Sequence, residues 1–174
     1  MLLDPAAANA FIAGYKRALL RIADDDDDRQ GGRTVLEALA HARDRVKKNP
    51  VLLEQALVEL ETSAPTLDGE VVRAIRTLRV DDWVYLRDSK TYAIFIQRSG
   101  EFALGVLALT QRLRDIVGGT GAVIEAGVVR YCGQFVCDGL VSRVVSLGPS
   151  YRRSFGDTYR VLRATGRFQV GGEA

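Results

Sequence analysis

The sequence predicts an α+β protein: an N-terminal helical cluster, then a five-strand antiparallel, strongly curved or barrel-like sheet, then a C-terminal helix. Three observations lead there. Up to residue 79 the apolar residues recur at helical spacing. From Val80 they change to β-branched and aromatic runs broken by short polar turns. After Gly148-Pro149-Ser150 the helical spacing returns. The chain has 174 residues, of which 47% are hydrophobic and 26% charged, enough apolar content to fill a core.

Asp4-Pro5 reads as an N-cap followed by proline at the first helical position. Phe11, Ile12, Tyr15, Ala18, Leu19 and Ile22 then form one stripe, which ends in the acidic run Asp24–Asp28 and Gly31-Gly32. Thr34 and Glu37 make a capping box for a second helix with the stripe Val35, Leu36, Leu39, Ala42 and Val46. Asn49-Pro50 closes it and opens a third, Val51 to about Glu61. Asp68-Gly69 starts a fourth, with Val71, Val72, Ile75 and Leu78 together. Residues 1–79 thus form a four-helix region, and residues 80–174 an antiparallel β region with a C-terminal amphipathic helix, packed on it as one unit.

Turns at Asp88-Ser89-Lys90 and Arg98-Ser99-Gly100 separate the first strands. Phe102 to Leu109, Ala122 to Tyr131 and Phe135 to Leu147 follow, the last two joined by a turn at Gly133-Gln134. Several strands are apolar on both faces, so the sheet must be covered twice, by closing on itself or by helices. Gly105, Gly127 and Gly139 mark bulges or bends. The last helix runs from about Tyr151 to Arg167 with the stripe Tyr151, Phe155, Tyr159 and Leu162, and residues 169–174 read as a loose tail.

The segments Phe102 to Thr110, Gly133 to Leu140, Leu147-Gly148-Pro149 and Arg152-Arg153-Ser154 resemble an uncharacterised bacterial protein family of unknown function, over residues 83–167. That resemblance implies a β-rich unit ending in a helix and carries no activity.

Much chemistry is excluded by composition. The formal net charge of +2 is too small for a chain held to nucleic acid by bulk charge. The only histidine, His41, lies on the polar side of the second helix, away from any nucleophile that the sequence can place. One histidine and two cysteines do not supply a zinc site. In the acidic run, Arg29 stands where a calcium loop needs glycine and Val35 where it needs glutamate. Gly118-Gly119-Thr120-Gly121 lacks the lysine of a phosphate loop and leads into a strand. No metal and no cofactor is therefore expected. No apolar run is long enough to span a bilayer, and the N-terminus lacks the pattern of a secretory signal, so a cytoplasmic protein without membrane contact is expected.

Two features invite function. From Arg143 to Arg167 there are six arginines and one acid, Asp157, a local net of +5. Arg153, Arg160 and Arg167, seven residues apart, would lie opposite the apolar stripe at intervals of about 10.5 Å, a candidate surface for nucleic acid or another anionic partner. Asp138 interrupts an apolar strand, and Glu125 on the preceding strand could pair with it for acid–base chemistry. The leading expectation is a non-enzymatic binding or interaction module that forms a homo-oligomer. The alternatives are an anion or nucleic-acid binder using the arginine face, and a small enzyme using Glu125 and Asp138. No catalytic residue is otherwise assigned.

Overall fold

The computed structural model describes residues 1–24, 34–63 and 65–172. Most of the acidic run, with Gly31-Gly32, therefore lies outside the described residues. The fold is α+β. The N-terminal helices are α1 (Pro5–Asp24), α2 (Val35–Lys48), α3 (Val51–Thr62) and α4 (Gly69–Arg76). Their starts are chemically defined. Asp4 accepts from the backbone N–H groups of Ala6 and Ala7 at 3.0 and 3.1 Å. Thr34 and Glu37 cap each other's backbone, Glu37 N–H to Thr34 Oγ1 at 3.3 Å and Thr34 N–H to Glu37 Oε2 at 2.7 Å. Asp68 accepts from Glu70 and Val71. On α2 the expected stripe is partly displaced: Val35 and Leu36 are 55% and 64% exposed, while Ala42, Arg43 and Val46 are buried.

The strands are β1 (Arg79–Asp88), β2 (Ala93–Gln97), β3 (Ala103–Leu107), β4 (Ala122–Tyr131), β5 (Gln134–Cys137), β6 (Ser142–Ser146) and β7 (Phe168–Gln169). The expected five-strand antiparallel sheet is thus a seven-strand mixed one. Its pairings run β1–β2–β3–β5–β4 and return from β4 to β1, so the sheet curves round on itself. The mixture has a topological cause. Between β3 and β4 lies a short helix, α5 (Leu113–Val117), ended by Gly118 at φ +80°, which the sequence pattern did not reveal. This connection lets β4 pair with β1, and β5 then returns beside β3 in parallel. The β4–β5 turn is Cys132-Gly133, one residue earlier than expected, with both residues at positive φ as a two-residue hairpin requires.

Strand alternation divides the core in three. Facing into the curve are Trp83, Phe95, Val106, Ile124, Val128 and their neighbours. Val129, Tyr131 and Val136 face outward against Phe11, Leu19, Leu57 and Ile75 of the helical cluster, so one core spans both halves of the chain. The outer face of β1 and β2 is covered by the C-terminal helix α6 (Pro149–Ala164), through Phe155, Tyr159 and Leu162. The need for double cover is met both ways, by curvature and by helices.

Two expectations for the C-terminus change. Tyr151 is 66% exposed, so the apolar stripe begins one turn later. The tail is not loose over its described part. Residues 168–169 pair with β3, Phe168 packs edge-on to Tyr159 at 5.1 Å, and Gly171 lies against Gly133 and Gln134.

Replacing Thr34 with alanine is expected to cost about 1 kcal/mol through loss of the cap. Chemical denaturation would show a lower midpoint at unchanged slope. An unmoved midpoint would mean that Thr34 does not set the start of α2.

Candidate functional site

Glu125 and Asp138 do come together, but around a buried arginine. On β4 the side chains of Ala122, Ile124, Ala126 and Val128 point into the curve, so Glu125 and Gly127 fall on the outer face, beneath the helices. Asp138 follows β5 in the break before β6, where Gly139 takes φ +80°. Its carboxylate lies across Gly127, where a Cβ would overlap it. Oδ1 of Asp138 accepts from the N–H groups of Gly127 and Leu140, each at 3.1 Å, and Oδ2 from the Tyr15 hydroxyl of α1 at 3.1 Å.

Arg43 of α2 enters between the two acids. Its Nη1 is 3.6 Å from Asp138 Oδ2 and donates to the Leu140 carbonyl. Its Nη2 is 3.5 Å from Glu125 Oε1 and donates to Ser142 Oγ at 3.0 Å. Glu125 also accepts from Lys47 Nζ at 2.5 Å and Ser142 Oγ at 3.1 Å, with Arg143 Nη1 at 3.5 Å. The side chains of Arg43, Glu125 and Asp138 are each at most 1% exposed. Arg43 Nε is the one buried side-chain polar atom without a hydrogen-bond partner among the described residues.

The environments separate the two acids. Burial pushes the Asp138 carboxyl up to about 6, against the pull of Arg43, the two backbone N–H groups and Tyr15. Burial also pushes Glu125 up, but the hydrogen bond and charge of Lys47, with Ser142 and Arg143, outweigh it and hold the carboxyl below its ordinary value. The neighbouring Cys137 thiol is pushed up to about 12 by burial and by Asp138, which leaves it protonated and unreactive. Every oxygen of the two acids is engaged inside the protein. This cluster joins α1 and α2 to β4, and it presents no carboxylate to a substrate.

A second arrangement is open. At one end of the curved sheet, Trp83, Phe102, Phe135 and Leu104 line a cavity of about 290 Å³, with Arg79 and Arg130 at its rim. The guanidinium of Arg79 lies over Phe102 at 4.8 Å and Trp83 at 5.7 Å, and that of Arg130 over Phe135 at 5.2 Å. Trp83 is held by its indole N–H, which donates to the Ala126 carbonyl at 3.0 Å. None of the described residues lining the cavity carries a carboxylate, thiol or imidazole.

The candidate arginines of the C-terminus do not form one row. Arg153 and Arg160 are exposed on α6, and Arg160 is paired with Asp157 at 2.5 Å. Arg167 lies beyond the end of the helix, past Gly166 at φ +70°. Cys132 and Cys137 are unbridged. Among the described residues no cluster of three metal-binding side chains occurs, and no helix is long and apolar enough to cross a membrane. The sequence reading missed Arg43, Tyr15, Arg79 and Arg130. Arg43 had a signal: it lies about 40° from Leu39 and about 60° from Val46 on the helix, inside the apolar stripe.

Arg43→Met is expected to destabilise the protein by about 3–5 kcal/mol at neutral pH, because it strands buried carboxylates. Adding Asp138→Asn should recover part of that loss in a double-mutant cycle. A loss under about 1 kcal/mol would show that the acids are not held by Arg43. A pH dependence follows too. The folded protein binds the Asp138 proton more tightly than the unfolded chain does, since its pKa rises from 3.8 to about 6. Its contribution to stability is therefore full below about pH 4 and is lost as pH rises through about 6. Glu125, shifted the other way, contributes above its ordinary value and is lost as pH falls. The stability of the protein minus that of Asp138→Asn should fall by about 3 kcal/mol between about pH 4 and pH 7. A flat difference across that window would contradict the shift.

No protein-family model matches the chain, nor does any curated protein or solved structure. The resemblance of residues 83–167 rests on the segments quoted for it alone.

Proposed function

We propose that the protein is a non-enzymatic binding module whose ligand enters the cavity between Trp83, Phe102 and Phe135. The observation that supports this is the composition of the cavity wall. Three aromatic rings from β1, β5 and the β2–β3 turn converge on a space of about 290 Å³, near the lower end of small-molecule sites. Flat rings of this kind hold an apolar or planar body by contact and by stacking. The lining has no group suited to general acid–base or nucleophilic work near neutral pH. Its one hydroxyl, on Thr77, donates to the Ala74 carbonyl at 2.7 Å and accepts from the Arg130 N–H at 2.7 Å. The two acids that the sequence offered for catalysis, Glu125 and Asp138, are bound by Arg43.

Trp83 is the only tryptophan in the chain, so its fluorescence reports on this wall alone. Titration with small aromatic compounds such as indole or benzyl alcohol is expected to change that emission saturably. The same compounds should raise the melting temperature, as ligands of the native state do. A linear, unsaturable response to all of them would reject the cavity as a binding site.

A further inference from the structure

We infer that the ligand of this cavity is a small aromatic carboxylate carrying one negative charge, with Arg130 as the residue that holds its carboxylate. This inference rests on the binding reading above and adds the chemical class of the ligand. It comes from the charges around the rim. Arg79 is already neutralised: its Nη2 and Nε lie 3.0 and 3.3 Å from Asp81 Oδ2. Arg130 differs. No ion pair joins its guanidinium to a carboxylate among the described residues, and it is exposed at the end of β4. On its far side Glu70 and Arg73 line an adjoining hollow with it, one acid and one base. Of the two arginines at the cavity's own rim, Arg79 is thus set against Asp81, and Arg130 is the one that no carboxylate of the described residues pairs.

The geometry suits a carboxylate. The Arg130 guanidinium lies over Phe135, its carbon 5.2 Å from the ring centre, and the planar fork of its N–H groups matches a carboxylate in two parallel hydrogen bonds. The ring of the ligand would then lie among Trp83, Phe102 and Phe135, while its head stays at the wet rim. Burial of the ring takes no charge into the apolar interior, because the charged ends meet at the exposed rim. The volume admits about one ring with a short arm, and it is too small for a dinucleotide or a long acyl chain. A phosphate monoester, with close to two charges at neutral pH, brings a second charge for which the cavity lining offers only Arg79, already paired with Asp81.

The test uses the full chain and four probes: phenylacetate, its neutral isostere phenylacetamide, phenyl phosphate and acetate. Binding is read by Trp83 fluorescence and by calorimetry. Phenylacetate should bind about tenfold or more tighter than phenylacetamide, and acetate should not bind measurably. In Arg130→Gln, phenylacetate should fall to the level of phenylacetamide, while phenylacetamide binding stays unchanged. Arg160→Gln, on the remote face of α6, should leave both as they were. Equal binding of the acid and the amide would overturn the carboxylate assignment and leave the cavity standing. Tighter binding of phenyl phosphate would overturn the single-charge assignment. If neither phenylacetate nor phenylacetamide binds, the cavity itself is rejected and the ligand class falls with it.

Discussion

Arg43 reaches from a helix into the space between two buried acids, and with the apolar core that spans both halves of the protein it ties the helices to the sheet. Breaking that contact would leave Glu125 and Asp138 under the helices with only part of their charge matched. A buried charge pair adds little stability over a well-packed apolar contact, since desolvation consumes most of the attraction. What it does supply is position. Apolar contacts such as those of Ala42 and Val46 are non-directional, whereas Arg43 must meet Glu125, Asp138, Leu140 and Ser142 together, as it does here. Gly127 belongs to the same device, because the Asp138 carboxylate occupies the space a side chain would take. Tyr15 brings α1 into it as well.

The curvature of the sheet follows from strands that are apolar on both faces. Turning one face inward buries Trp83, Phe95 and Ile124 against each other, and the outward face is left for the helical cluster and α6. The inward core does not fill the curve completely. At the end where the β2–β3 turn, β5 and β7 meet, large rings stand apart around a hollow, with arginine guanidinium groups over Phe102 and Phe135. The two polar centres therefore do opposite things. One is closed and satisfied within itself, and it holds the fold. The other is open, apolar and rimmed with charge, and it is where a ligand could be met.

The sequence by itself determined the class of the fold and the starts of the four N-terminal helices. Helical spacing changes to strand spacing near Val80, and the Asp4, Thr34 and Asp68 caps are local interactions between residues two or three apart. Such signals need nothing from the rest of the chain. The limits of β4, Ala122–Tyr131, were legible for the same reason. Glu125 and Asp138 also stood out as acids in apolar strands. Their role did not, because it is set by Arg43, 82 and 95 residues away in the sequence.

Strand order, the parallel pairing of β3 with β5, and the docking of residues 168–169 on β3 were decided only by the tertiary structure. Pairing between distant strands depends on which edges remain open once others have paired, and no local pattern encodes that. The regular spacing of Arg153, Arg160 and Arg167 shows the converse: it held only while the helix continued, and α6 ends at Ala164. The cavity has the same origin as the strand order. Trp83, Phe102 and Phe135 are unremarkable apolar residues along the chain, and they become one wall because curvature brings three separate segments to the same end of the sheet.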